Sequence, residues 1–179
     1  MKRIPPILLA VALLLALFQI SATADDAKKP ATQPAPVVVV QPDGSLLLKA
    51  EGARIHGFKM HLEMKPEPTI IFWVNNQEYP EWPHAAAKKG TYAVEITYSC
   101  APRSGGDFAV TAAANKIQSK TEETADWHTF KTVKLGNLKV LNDNTSISII
   151  ANGRLDRALM NVRSLKLTPI PDKENEKKK

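Results

Sequence analysis

The sequence is poor in the residues that most often carry chemistry or covalent stability. A single cysteine, Cys100, excludes a disulfide framework and every zinc or redox motif that needs two or more thiols. Eight glycines among 179 residues exclude a collagen-like chain, and an apolar content of 44% excludes a fully disordered one. No GxSxG elbow, Walker loop or GxGxxG fingerprint occurs. The four histidines, His56, His61, His84 and His128, include no HExxH frame. The only close pair straddles Gly57 without helical spacing, so all four read as surface or turn residues, and no metal or cofactor is expected. Carboxylates such as Glu78, Glu81, Asp107 and Asp126 are available in loops and strand ends, as in any soluble domain. Nothing in their pattern marks an enzyme.

What is present begins with an export pattern. Lys2 and Arg3 precede an apolar run from Ile7 to Ile20, and Ser21-Ala22-Thr23-Ala24 ends in the small-x-small pattern of a cleavage site. Residues 1–24 therefore read as a signal peptide, too short in its apolar run to span a bilayer, and the mature chain is expected to be periplasmic or secreted with no membrane anchor. Cleavage lowers the formal net charge from +6 to +4, so part of the basicity belongs to the leader. Without a basic face interleaved with aromatics, nucleic acid is not an expected partner. Residues 25–36 hold three prolines and no large apolar residue, the composition of a solvated linker. Residues 171–179 form a tail of alternating charge.

Between them, residues 37–170 are long enough for one hydrophobic core, and short β-prone runs separated by turn residues fill them. Residues 37–40 and 45–48 flank Gln41-Pro42-Asp43-Gly44, a hairpin signature. Residues 91–100 alternate cleanly, with Tyr92, Val94, Ile96, Tyr98 and Cys100 on one parity, which names the buried face of a strand. Burial there would raise the Cys100 thiol pKa and leave it inert. Residues 69–74 are apolar on both parities and predict a strand covered on both sides. Further strands are expected at 108–112, after a turn at 104–107, and around Ile147 and Ile149. Residues 127–135 and 159–167 carry apolar residues of both parities, which points to a β-bulge or to a partly covered outer face and leaves their register open. The six residues 84–89 favour helix but are too few to hold one alone. The fold class is all-β, a two-sheet antiparallel sandwich of jelly-roll type.

The most suggestive passage is 72–83, which holds two of three tryptophans and one of three tyrosines among amides and carboxylates. Aromatic faces stack on sugar rings while Asn, Gln and Glu bond hydroxyls, so Tyr79, Glu81 and Trp82 are candidate glycan-binding residues. Trp73 reads as core; Trp82 either faces a ligand or begins the next strand and points inward.

Several passages taken in order carry a resemblance: Ile71-Phe72-Trp73, Glu81-Trp82, Gly90-Thr91-Tyr92 leading to Tyr98-Ser99-Cys100, Gly105-Gly106-Asp107-Phe108, Trp127-His128-Thr129-Phe130, and Asn161-Val162-Arg163 running to Thr168-Pro169. The series resembles the galactose-binding-like β-sandwiches close to carbohydrate-binding module family 6, which accompany secreted sulfatases and fucosidases. The resemblance implies a non-catalytic module that binds glycan or cell-surface polysaccharide, with an asparagine at the start of the last strand helping to hold the sugar. Asn161 takes that place; Arg163 stands where the family often has aspartate. It also implies a structural calcium ion, for which no compact Asp and Asn set lies near the first strands. The alternative function is an extracytoplasmic interaction or assembly module, partnered by an enzyme or envelope protein, without sugar binding.

Overall fold

The structure, a computed structural model, describes residues 38–171. The proposed leader, the linker at 25–36 and the tail beyond Pro171 lie outside them. Twelve strands form two antiparallel sheets, and no α-helix occurs among the described residues.

The first sheet is centred on β12 (Asn161–Ile170). On one side β12 pairs along its length with β7 (Gly90–Ser99), which in turn pairs with β10 (Lys131–Val140). The other side is shared. The β1–β2 hairpin (Val38–Val40, Leu46–Lys49) docks on Ser164 to Leu167, and the β4–β5 hairpin (His61–Glu63, Thr69–Ile71) docks on Val162. The second sheet runs β3 (Arg54–His56), β6 (Tyr79–Trp82), β11 (Ile147–Asp156), β8 (Gly105–Ala112), β9 (Asn115–Lys120). Tyr92, Val94, Ile96 and Tyr98 of the first sheet share one core with Trp82, Phe108, Val110, Ile147 and Ile149 of the second. This is the two-layer sandwich expected of alternating strands, each hiding one face.

The hairpin at 41–44 forms as the Pro-Asp-Gly sequence dictates. Gly44 takes φ 77°, and the Asp43 carboxylate accepts from both the Ser45 amide and hydroxyl. Those bonds hold the Asp43 carboxyl below the usual aspartate range. Of the two alternatives for the mixed-parity strands, the bulge is the one that occurs. Pairing of β10 with β7 slips between Lys134 and Gly136, and that of β12 with β7 slips between Val162 and Ser164. One extra residue reverses side-chain alternation, so the buried residues of β12 change parity from Val162 to Leu165 and Leu167.

Four expectations need correction. The strand at 69–74 stops at Ile71, because Phe72 turns to φ 60°; Trp73 then folds into the core while Phe72 and Val74 face solvent. The turn placed at 104–107 lies earlier, closed by the Ser104 amide on Ala101 O, and Gly105 already opens β8. The strand expected from residue 127 begins at Lys131. Asp126 Oδ1 captures the His128 and Thr129 amides at 2.8 and 2.6 Å, which turns the chain there instead of extending it. The last strand begins at Asn161, with Leu159 and Met160 buried in the approach to it.

Candidate functional site

Loops at one end of the sandwich meet in an open cleft of about 410 Å³, lined by Phe72, Val74, Trp127, His128, Ala158 and Asn161 and edged by Glu63 and Ile71. They come from the β5–β6 loop, the β9–β10 loop, the β11–β12 loop and the first residue of the central strand. Backbone and side-chain hydrogen bonds tie these loops to one another and to the strands beside them. The Leu159 amide donates to Trp73 O, joining the β11–β12 and β5–β6 loops, and the Gly105 amide donates to Ala158 O. Asn76 Nδ2 reaches Gly153 O at 2.9 Å.

Trp127 sits on the most heavily fastened of them. Its carbonyl accepts from the buried Ser99 hydroxyl at 2.7 Å and from Asn161 Nδ2 at 3.2 Å. Upstream, the Thr124 hydroxyl accepts the Cys100 amide at 3.0 Å and lies 2.8 Å from Asp126 O, to which it can donate. Downstream, the Asp126 carboxylate holds the amides of His128 and Thr129, and those bonds keep its carboxyl below the usual aspartate range. The ring of Trp127, partly exposed, is thus presented on a backbone fixed before any ligand arrives.

Phe72 supplies a second aromatic surface. It is 59% exposed, and its ring lies parallel to His61 at 5.2 Å. Asn161 donates through Nδ2 to a carbonyl, which can only accept, so its side-chain oxygen remains as an acceptor for a ligand hydroxyl. The cleft therefore offers two ring faces and hydrogen-bonding groups in an apolar setting. That is chemistry for a polyhydroxylated ring.

Asn161 is the one sequence-chosen residue found here. Trp82 is a correction: it is fully buried, and its indole N–H donates to Lys49 O at 2.7 Å, so neither face is open to ligand. Tyr79 is half-buried and stacked on His56 at 4.4 Å, because the two are directly paired across β6 and β3. Glu81 is held 2.8 Å from His56 Nε2. These three belong to the second sheet. Arg163, in the family's aspartate position, is the extra residue of the β12 bulge. Its guanidinium stacks 3.6 Å from the Phe130 ring centroid and pairs with Glu67 at 2.9 Å, and so is already engaged.

The fold is shared with solved carbohydrate-binding modules. A family 35 module from Clostridium thermocellum is 20% identical, with 70% of this chain and 98% of that one covered at a TM-score of 0.59. A β-1,3-glucan-binding family 6 module from Bacillus halodurans is 16% identical, covering 68% and 93%, at 0.56. A family 6 module of Cellvibrio mixtus lichenase 5A, in complex with cellotriose, is 11% identical, covering 70% and 97%, at 0.53. No family profile and no curated protein matches the chain. The chain has a family 6-like carbohydrate-binding-module fold.

The resemblance also implies a structural calcium ion, for which side-chain carboxylates are the strongest ligands. Among the described residues no three His, Cys, Asp or Glu side chains converge. Glu78, the buried carboxylate beside the first strands, spends both oxygens on the amides of Phe58, Lys59 and Met60 at 2.9, 3.0 and 2.9 Å. Burial alone would raise its pKa; the three amides outweigh that and leave it below the usual glutamate range.

Proposed function

We propose that the chain is a non-catalytic, exported module that holds a glycan in the rim cleft formed by Phe72, Trp127 and Asn161. The observation that carries this reading is the pairing of an exposed phenylalanine with a tryptophan whose loop is already fastened in place, next to an asparagine acceptor. The leader pattern at 1–24 supports export. β-Glucans are the first ligands to test, because the Bacillus module is described as binding β-1,3-glucan and the Cellvibrio module holds cellotriose. Two rings contributing about 1 kcal/mol each, with a few hydrogen bonds, give a Kd in roughly the μM to mM range. Useful retention at that affinity comes from several copies or from a tethered enzyme.

Affinity electrophoresis through gels containing laminarin, cellulose ethers or xylan tests the reading. Retention of the wild type, weakened about 2- to 10-fold by either Trp127→Ala or Phe72→Ala, is the expected result. Retention that both variants leave unchanged, or none on any polymer, contradicts it.

One observation favours a second reading, an extracytoplasmic interaction module without sugar binding. Phe58 is wholly exposed on a turn that Glu78 holds rigid, as a hydrophobic anchor for a protein partner would be. Capture of one envelope protein by the wild type and not by Phe58→Ala, with no glycan retention, would favour it.

A further inference from the structure

A second cleft, of about 430 Å³, is built in part on loops that also serve the first. It is lined by Arg103 and Ser104 before β8, Glu123 of the β9–β10 loop, and Arg154, Asp156 and Arg157 at the end of β11. Three of the five arginines among the described residues meet here. All three are exposed, and none of their guanidinium groups makes an ion pair among the described residues. Arg163, by contrast, is bound to Glu67 and Phe130. Arg103 and Arg157 also stand at φ 62° and 67°, left-handed backbone that favours glycine, yet both positions carry long cationic side chains.

The two clefts draw on the same loops. Arg157 lines one and Ala158 the other, and these are consecutive residues about 3.8 Å apart along the chain. The β9–β10 loop likewise contributes Glu123 to one side and Trp127 with His128 to the other. The same two loops thus offer a polysaccharide both the ring cleft and the arginine cleft.

Resting on the glycan reading above, we infer that the ligand is an anionic glycan, whose carboxylate or sulfate groups are taken by Arg103, Arg154 and Arg157. A guanidinium presents parallel N–H donors that match both anions. The two carboxylates in the cleft leave a net charge of +1. One oxygen of Glu123 already accepts the Arg103 amide at 2.7 Å; the acids retain acceptor capacity for sugar hydroxyls, which a site for a bare inorganic anion would not need.

The test compares the purified protein on laminarin (neutral), polygalacturonate (carboxylate) and chondroitin sulfate (sulfate and carboxylate), at low and high salt. At low salt at least one anionic polymer is bound about tenfold more tightly than laminarin, and R154Q/R157Q removes that preference while leaving laminarin binding unchanged. The charge-matched K116Q/K139Q variant, altered at exposed lysines outside both clefts, keeps the preference. Whether polygalacturonate or chondroitin sulfate gains the advantage separates carboxylate from sulfate recognition. Equal binding of neutral and anionic polymers, or an equal loss in the lysine variant, overturns the inference and leaves the glycan reading standing. No retention on any polymer contradicts both.

Discussion

Phe72 and Trp73 are adjacent, and the function proposed for this chain depends on their opposite fates. The left-handed turn at Phe72 sends one ring into solvent and the next into the core, where Trp73 is fully buried. The sequence passage rich in aromatics does put one ring, Phe72, at the rim, while Trp82, a ring it offered to a ligand, lies in the core. Trp82 alternates into the core with the rest of β6, and Tyr79 is claimed by His56. Trp82→Ala should accordingly cost about 3–5 kcal/mol in chemical denaturation, with glycan retention per folded molecule unchanged. Trp127→Ala should do the reverse, weakening retention with little loss of stability. Asn161 came from the family resemblance, which implies an asparagine at the start of the last strand, where the structure has it. Trp127 was missed because 127–135 carries apolar residues throughout; the signal overlooked was Asp126 two and three residues ahead of the amides it captures, a turn pattern rather than a strand. Cys100 could be read from parity alone. Burial raises its thiol pKa, so alkylation in the native state should be slow and should become rapid on unfolding.

Among the elements, the loops that make the site are ordered by side chains reaching out from strands. The β9–β10 loop is pinned by Ser99, Tyr98 and Thr124 to the end of β7, and Glu122 both gives and receives a hydrogen bond with the Tyr98 hydroxyl. Thr124→Val keeps the shape and removes the hydroxyl, so it should lower stability by about 0.5–1.5 kcal/mol and weaken glycan binding without touching ligand, as a titration of folded variant would show. The β3–β4 turn depends on Glu78. A side chain at Gly57 would collide with that carboxylate, which explains the glycine. Because the folded pKa of Glu78 lies below its unfolded value of about 4.3, its stabilisation is present above that pH and is lost as pH falls through the folded value. Denaturation of wild type and Glu78→Gln should therefore differ by about 1–3 kcal/mol at pH 7 and converge in acid. Equal stability at pH 7 would remove Glu78 from this role. No sequence signal marks this clamp, since its partners are backbone amides some twenty residues away.

For the whole molecule, the two-sheet architecture was legible from the sequence because it rests on alternation, which is local. The bulges were legible only in part: mixed parity within one strand fits a bulge or a partly covered outer face, and the cross-strand pairing decides between them. The meeting of the β5–β6, β9–β10 and β11–β12 loops at one end was not, because it follows from how strands far apart in sequence are ordered in the sheets. The central claim is that this end of the sandwich, and neither of its outer sheet faces, receives the sugar. The three tryptophans make a direct reporter, since Trp73 and Trp82 are wholly buried and Trp127 lines the cleft. In a titration with a β-glucan oligosaccharide followed by two-dimensional NMR, the indole N–H resonance of Trp127 should shift with saturation, and those of Trp73 and Trp82 should stay in place. Shifts that gather around Tyr79 and Glu81 while Trp127 remains still would contradict the account.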